Sequence, residues 1–414
     1  MMHLRRKLLS PYHYALAAFA LARYGFPAKK LAVIGVTGTK GKSSVAEMLH
    51  SILTEAGHKT ALAGTIRFAI GEESRPNLFK MTLPGRGFIQ KFLAEAVAKG
   101  CTHAIVEITS EAALQYRHLG LTLDALIFTN LQKEHVESHG GVEKYLHAKL
   151  KIGEALACSP KRPRIMVANA DDPQGGRFLA LAVEKRVPFS LADARDADIS
   201  EQGVSFFYNG THFSMPQPGS FSVMNALASI KTAEALGVPL ETSARALADL
   251  AHIGGRVERI EVGQDFTAIV DYAHTPDSLR ALYNAFPNHR KICVLGNTGG
   301  GRDTWKRPEM GRIADEACER VILTNEDPYD EDPREIVEAM AAGMARPPEI
   351  IMDRREAIRA ALRLASLAQD KRNVAVLISG KGTDPFIMGP HGTKTPWSDA
   401  KVVREELERL LKEV

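Results

Sequence analysis

Cysteine is scarce. The 414 residues hold four (Cys101, Cys158, Cys293, Cys318), with no C-x-x-C pair and no histidines at ligand spacing beside them. That pattern indicates neither a zinc site nor a disulfide framework and fits a reducing cytoplasm. An excess of one charge is also missing, since 53 Lys and Arg stand against 49 Asp and Glu, a formal net charge of +4. So balanced a chain advertises no polyphosphate partner, and nucleic-acid binding is not expected. The apolar run near the start, Ala15 to Ala22, is too short to cross a bilayer and has no small-residue cleavage site after it. Neither export nor stable membrane insertion is expected. Arg5, Arg6 and Lys7 precede that run, so residues 1–30 read as a helical segment, ordinarily a docked helix, with an interfacial amphipathic helix as the other reading. There is no solenoid repeat and no low-complexity tract.

What is present is the material of a globular protein of two or three domains. From Lys30 onward, short β-branched runs alternate with longer segments of helical periodicity, the pattern of a mostly parallel sheet covered by helices. The fold class is α/β. The first series of predicted strands is Leu31–Thr37, His103–Thr109, Leu123–Thr129 and Arg164–Ala170; the second is Thr267–Tyr272, Lys291–Gly296, Arg320–Asn325 and Val374–Ser379. Residues 195–222 alternate in short steps and predict hairpin-like strands, and a helix is expected over Asn225–Leu236, stopped by Gly237 and Pro239. Ile253-Gly-Gly-Arg256 reads as a hinge, which places a central domain at 31–253 and a smaller Rossmann-like domain at 254–414.

The most informative segment follows the first strand. Gly38-Thr39-Lys40-Gly41-Lys42-Ser43 is a glycine-rich turn, and Ser44–Ala56 has helical spacing. Such a turn points backbone N–H groups and a positive helix end at an anion, while Lys42 neutralises terminal phosphate oxygens and Ser43 holds Mg²⁺. The strict phosphate-loop pattern fails because Val36 stands at its first glycine position, yet Gly35, Gly38 and Gly41 still supply the turn. ATP is the expected ligand, cradled by Gly38, Thr39, Lys40, Gly41, Lys42, Ser43 and Ser44, in a central domain like a phosphate-loop ATPase.

In the form Thr37-Gly-Thr-Lys-Gly-Lys-Ser43 this loop resembles that of the Mur ligases, ATP-dependent enzymes that join a carboxylate to an amino acid's amine in cell-wall precursors. Further motifs carry the resemblance over about residues 30–410: Met81-Thr-Leu-Pro84, Val106-Glu-Ile-Thr-Ser110, Phe128-Thr-Asn-Leu131 with Glu134-His135, Ala148-Lys149, Asn169-Ala-Asp-Asp-Pro173, Phe221 to Asn225, Gly255-Arg-Val-Glu258, Asp271 to Asp277, Gly301-Arg-Asp303 to Arg307, and Gly380-Lys-Gly382. The branch it is similar to adds the third residue of the stem peptide.

The resemblance implies an acyl phosphate intermediate, ADP and phosphate as products, and two Mg²⁺ ions. Lys42, Glu107, His135 and Lys149 become the catalytic candidates; Ser43, Glu107, His135 and a carbamylated Lys149 become the metal candidates. Glu107 ends a predicted strand beside the phosphate-loop strand, where carboxylates meet bound nucleotide; alone it reads as a surface group, and Ser43 together with the family motif makes it a metal candidate. Asn225 at a helix start, Arg256, Asp271 and His274 are implied nucleotide contacts, with the second domain closing over ATP; His274 in Tyr-Ala-His-Thr-Pro also suits a turn cap. Thr82 is implied to touch the acceptor carboxylate, and Arg302, Glu326, Asp327, Gly380 and Asp384 the incoming amino acid.

The chain departs from that family in three places. About thirty residues precede the phosphate loop where relatives carry a uridine-gripping domain, which leaves open a peptide acceptor without UDP, as in cyanophycin-type ligases. Glu326-Asp-Pro-Tyr329 replaces the Asp-Asn-Pro-Arg of diaminopimelate-adding relatives, so the arginine that pairs a distal carboxylate is absent. With Asp330, Glu331 and Asp332 following, an acidic pocket for a cationic side chain such as lysine is expected. Thr109-Ser110-Glu111 stands where Ser-Ser-His is usual, and Glu111 reads either as a site carboxylate or as a helix-start glutamate. A phosphate-loop regulator or transporter ATPase is the reading from another class; it needs no amino-acid pocket. The oligomeric state is not legible.

Overall fold

The computed structural model describes residues 2–85, 87–132, 141–301 and 303–413, with the side chains of all of these but residues 2–11 and 142. Two compact units divide the chain: Met1–Asp198 with Val204–Met215 and Phe221–Ala251, and His252–Val414 with Ile199–Gly203 and Pro216–Ser220.

In the first unit an eight-stranded sheet runs β4-β3-β2-β5-β1-β6-β7-β8. Its strands are β1 (Ala32–Thr37), β2 (Thr60–Ala63), β3 (Arg67–Ile70), β4 (Glu73–Pro76), β5 (His103–Glu107), β6 (Ala125–Phe128), β7 (Ile165–Asn169) and β8 (Lys185–Phe189). β2, β5, β1, β6, β7 and β8 are parallel, and β3 and β4 add an antiparallel edge. Alternate residues of the parallel strands (Val33, Ala104, Val106, Leu126, Phe128, Met166) enter one core with Phe92, Leu93, Ile152 and Phe178. Phe128 stacks on Phe178 at 3.9 Å between centroids. Parallel strands buried on both faces need continuous apolar residues, which is why they were legible as β-branched runs.

The helices of this unit are α1 (Met2–Tyr24), α2 (Lys42–Glu55), α3 (Phe88–Ala98), α4 (Ser110–Leu114), α5 (Val142–Ala157), α6 (Gly175–Leu179), α7 (Ser220–Ala235) and α8 (Leu240–Ala248). The expected hairpin region forms a three-stranded sheet of β9 (Arg195–Ile199), β10 (Val204–Tyr208) and β11 (Thr211–Met215). α7 begins five residues before the expected helix, so Asn225 sits in its second turn and not at its start. The apolar Phe221, Val223 and Met224 ahead of Asn225 have no breaker among them, and the turn signal that ends the preceding loop is Pro218-Gly219.

The second unit has a six-stranded sheet in the order β12-β13-β17-β14-β15-β16, in which β12 is Glu258–Arg259 and β16 is Glu349–Ile350, parallel apart from β12. The strands that carry its site are β13 (Thr267–Asp271), β14 (Arg290–Leu295), β15 (Arg320–Leu323) and β17 (Val374–Ser379). Their apolar residues pack on two helices, Arg354–Ser366 and Asp399–Glu413. A fully buried bidentate pair, Arg354 to Asp399 at 2.7 and 2.8 Å, ties those helices together. One expectation is corrected here: Cys293 in β14 and Cys318 beyond the helix Lys306–Ala317 form a disulfide. Their separation of 25 residues carries no motif, and only the packing of that helix on the sheet brings the sulfurs together.

Candidate active site

In the first unit the phosphate-loop residues lie where β1, at the middle of the sheet, meets α2. β1 has β5 on one side and β6 on the other, so its C-terminal end opens into the crevice where parallel sheets bind ligands. The loop is held from the β6 side. Asn130 Oδ1 accepts the Lys40 N–H at 2.9 Å, Thr129 Oγ1 donates to the Lys40 carbonyl at 2.6 Å, and the Asn130 carbonyl accepts the Thr39 N–H at 2.8 Å. Thr39 Oγ1 lies 3.1 Å from the hydroxyl of Tyr145 on α5.

Two glycines are demanded by this closeness. Gly38 has φ +144°, and a Cβ there would stand 1.9 Å from Thr129 Oγ1. Gly41 has φ +82°, and a Cβ would stand 2.3 Å from Asn225 Oδ1, which places Asn225 of α7 directly against the loop. Lys42 folds back over the loop, donating to the carbonyls of Gly38 at 3.1 Å and Thr39 at 2.8 Å. Lys149, from α5, is buried; it donates to the Gly38 carbonyl at 2.6 Å and lies 4.5 Å from the centroid of Tyr145. Two cationic side chains thus converge on one turn. Ser44 is buried in the first turn of α2.

On the β5 side stands a connected hydroxyl and carboxylate cluster. Glu107, 1% exposed, accepts from Ser43 Oγ at 3.0 Å, from the Thr65 N–H at 2.8 Å and from Thr65 Oγ1 at 3.0 Å. Thr65 Oγ1 is in turn 2.9 Å from Thr82 Oγ1. Glu111 lies in the first turn of α4 and its Oε1 accepts from Gln115 at 2.7 Å, the arrangement of a helix-start glutamate. Thr65 was missed by sequence reasoning, and no local signal marked it: β2 was not among the expected strands, and only its parallel pairing with β5, Ala63 opposite Val106, brings Thr65 to the same strand ends as Glu107. Tyr145 was missed as well.

Among the described residues no group of three or more His, Cys, Asp or Glu is arranged to hold a metal ion. The Ser43 hydroxyl and the Glu107 carboxylate are hard oxygen donors, and that pair suits Mg²⁺, which keeps waters and substrate phosphates among its ligands. His135 lies outside the described residues, as does Arg302.

The second unit has its own cluster at the C-terminal ends of its parallel strands. Asp271 accepts the Val257 N–H and the Ala273 N–H, both at 2.7 Å, and so ties the chain entering the neighbouring strand to the turn after β13. Arg256 places its guanidinium 4.7 Å from the Tyr272 ring centroid. His274 donates from Nδ1 to the Tyr272 carbonyl at 2.6 Å, and Thr275 beside it caps the helix Pro276–Asn284.

The acidic run after β15 is not an open anionic wall. Asp327 is buried and accepts from Lys381 Nζ at 2.9 Å and from the Met388 N–H at 2.8 Å, and Asp384 lies 3.1 Å from the same ammonium. Glu331 pairs with Arg307 at 2.7 Å, Asp332 caps the helix Pro333–Ala341, and Asp330 accepts the His391 N–H. Burial pushes the Glu326 carboxyl above its usual range, while Thr298 donates to one of its oxygens at 2.9 Å. Asp327 is answered by Lys381, 54 residues on, and Glu331 by Arg307, 24 residues back, pairings that local composition could not reveal. Gly380 directly follows β17 and precedes Lys381.

Two family descriptions match the chain: the Mur ligase middle domain over residues 36–233, and the Mur ligase glutamate ligase domain over residues 255–382. The chain is 36% identical to a UDP-N-acetylmuramyl-tripeptide synthetase of Roseiflexus sp. (strain RS-1), across 96% of its own length and 82% of the relative's. It is 37% identical to a UDP-N-acetylmuramoyl-L-alanyl-D-glutamate–2,6-diaminopimelate ligase of Gloeobacter violaceus, across 95% and 80%. A solved 2,6-diaminopimelate ligase structure of the same designation superposes with a TM-score of 0.62 at 28% identity, covering 92% of this chain and 79% of that one. The Mycobacterium tuberculosis folylpolyglutamate synthase, complexed with ADP and AMPPCP, shares the fold at a TM-score of 0.73 and 17% identity, over 89% of this chain and 93% of its own.

Proposed function

The chain belongs to the Mur ligase family, and on that premise we propose that it is an ATP-dependent ligase joining a peptide carboxylate to the amine of an amino acid. The acceptor in this reading is a UDP-N-acetylmuramoyl peptide of cell-wall synthesis, the products are ADP and phosphate, and the setting is the cytoplasm. The observation that carries it is the hydrogen-bonded line Ser43–Glu107–Thr65–Thr82, which joins a phosphate-binding turn to the loop expected to meet the acceptor carboxylate.

A carboxylate does not react with an amine at neutral pH because its leaving group would be oxide. In the proposed sequence an acceptor carboxylate oxygen attacks the γ-phosphorus of ATP, and the bond from that phosphorus to ADP breaks. The amine nitrogen then attacks the acyl carbon, loses a proton, and expels phosphate. Lys42 holds positive charge at the loop where negative charge shifts during phosphoryl transfer. The loop amides and Asn225 fix the nucleotide, and Thr82 orients the acceptor. Mg²⁺, when bound, supplies further positive charge against the phosphoryl oxygens; Ser43 and Glu107 would hold one ion, His135 would join Glu107 around a second, and a carbamylated Lys149 would add an oxygen donor. Arg256, Asp271 and His274 are proposed as nucleotide contacts of the second unit, and Arg302, Glu326, Asp327, Gly380 and Asp384 as its amino-acid side. With Tyr329 in place of arginine, the amino acid is proposed to be one without a distal carboxylate, such as lysine.

The test is an assay of phosphate release with ATP, a panel of UDP-muramoyl peptides and free peptides, and a panel of amino acids. Release that depends on both an acceptor and an amino acid is expected, with a hydroxamate formed when hydroxylamine replaces the amine. Release that needs neither would replace the ligase with a plain ATPase.

A further inference from the structure

Helix α1 is apolar on two faces, and the fold covers only one. Ala17, Ala20 and Leu21 are buried, the last two close against Gly87 and Gly120. On the other face Tyr12, Ala15, Phe19 and Ala22 recur at helical spacing, all exposed and none charged, with Phe19 71% accessible. Phe26 continues the stripe just past the helix. An exposed stripe of large apolar side chains marks an interaction surface.

The apolar surface extends beyond the helix. Leu78, Phe79 and Met81 are exposed, and Phe79 and Met81 share with Tyr12 and Leu16 the lining of a groove of about 410 Å³ beside Thr82. Charge then selects the occupant. The first acidic residue of the chain is Glu47, while Arg5, Arg6 and Lys7 stand toward one end of α1 and Arg23, Lys29 and Lys30 at the other. Lys29 Nζ lies 4.9 Å from the centroid of Phe26, so a cation accompanies the exposed ring. Basic ends flanking an aromatic stripe suit an anionic lipid surface, where the rings enter the headgroup boundary and the cations meet lipid phosphates. No helix among the described residues is long and apolar enough to cross a membrane, so α1 would lie on the bilayer.

We propose that α1, with the adjoining 78–81 loop, is a peripheral docking surface for a bilayer containing anionic phospholipid. The proposal does not depend on the ligase reading, because its readout is binding. The experiment is co-sedimentation of the full chain with vesicles of phosphatidylcholine alone and of phosphatidylcholine and phosphatidylglycerol at about 3:1. Binding is expected on the mixed vesicles, at least about tenfold weaker on phosphatidylcholine alone, and falling as salt is raised. Phe19→Asp, and separately Arg5→Gln with Arg6→Gln and Lys7→Gln, should each reduce it by about tenfold or more, with the circular dichroism spectrum and phosphate-release activity unchanged. No binding to either vesicle overturns the proposal, as does binding indifferent to both sets of substitutions. So does concentration-dependent self-association that Phe19→Asp abolishes without vesicle binding, which would assign the face to a second copy of the chain.

Discussion

Thr65 and Glu107 meet in two hydrogen bonds, one from the Thr65 amide to Oε1 at 2.8 Å and one from its hydroxyl to Oε2 at 3.0 Å. Both oxygens of a buried carboxylate are thereby oriented by one residue, which also touches Thr82. Thr65→Val removes the hydroxyl and keeps the shape, and kcat should fall about 10- to 100-fold, while Thr65→Ser stays within about threefold of the parent. The Mg²⁺ concentration for half-maximal activity should rise in the valine variant alone. Equal effects of valine and serine would leave Thr65 with no part in orienting Glu107.

Lys149 reaches the phosphate loop from the far side, and its Nζ contacts the Gly38 carbonyl. Lys149→Met should lower kcat by about 100-fold or more, because a buried polar group held against the Gly38 carbonyl of the loop is lost. If the working form carries a carbamate, mass analysis of protein kept under carbon dioxide will find the adduct on the Lys149 peptide. Its absence from fully active enzyme would assign the ammonium as the working group.

Gly41→Ala forces a side chain into positive φ and against Asn225 Oδ1. A stability loss of about 1–2 kcal/mol is expected in chemical denaturation, together with at least about tenfold weaker nucleotide binding. Asn225→Gly in the same chain should recover part of the stability by opening space. No recovery would mean that the backbone angle alone is responsible.

His50 is buried on α2, with Nδ1 2.8 Å from Thr60 Oγ1, and burial followed by the charge of Arg67 lowers its pKa to about 4. Folding therefore disfavours its protonation. Above pH 6.5 both folded and unfolded states hold it neutral; below that the unfolded state takes up the proton first, so stability falls as pH drops from 6.5 toward 4. The full span amounts to on the order of 3 kcal/mol. The melting temperature of the parent should decline from pH 7 to pH 5 more steeply than that of His50→Gln. Parallel profiles for the two proteins would remove His50 as the cause.

Tyr329 stands at φ +54° where the diaminopimelate-adding pattern has arginine. The parent should use lysine better than diaminopimelate, and Tyr329→Arg should shift the ratio of their kcat/KM values toward diaminopimelate by about tenfold. Preference of the parent for diaminopimelate would show that another cation pairs the distal carboxylate.

The sequence by itself determined the α/β class, the eight predicted strands, the phosphate loop and Glu107 at a strand end. Those features are local: a buried parallel strand needs a β-branched run, and an anion-binding turn needs its glycines and its Lys-Ser pair within a few residues. Only the tertiary structure decided what faces them. Thr65 meets Glu107 across 42 residues, Lys149 meets Gly38 across 111, Lys381 answers Asp327 across 54, and Cys293 joins Cys318. The acidity of Asp327 looked available in the chain because its counter-charge is remote in sequence. Side-chain electrostatics act through space, and spatial neighbours of a strand end are set by the order of strands in the sheet, which no local pattern encodes.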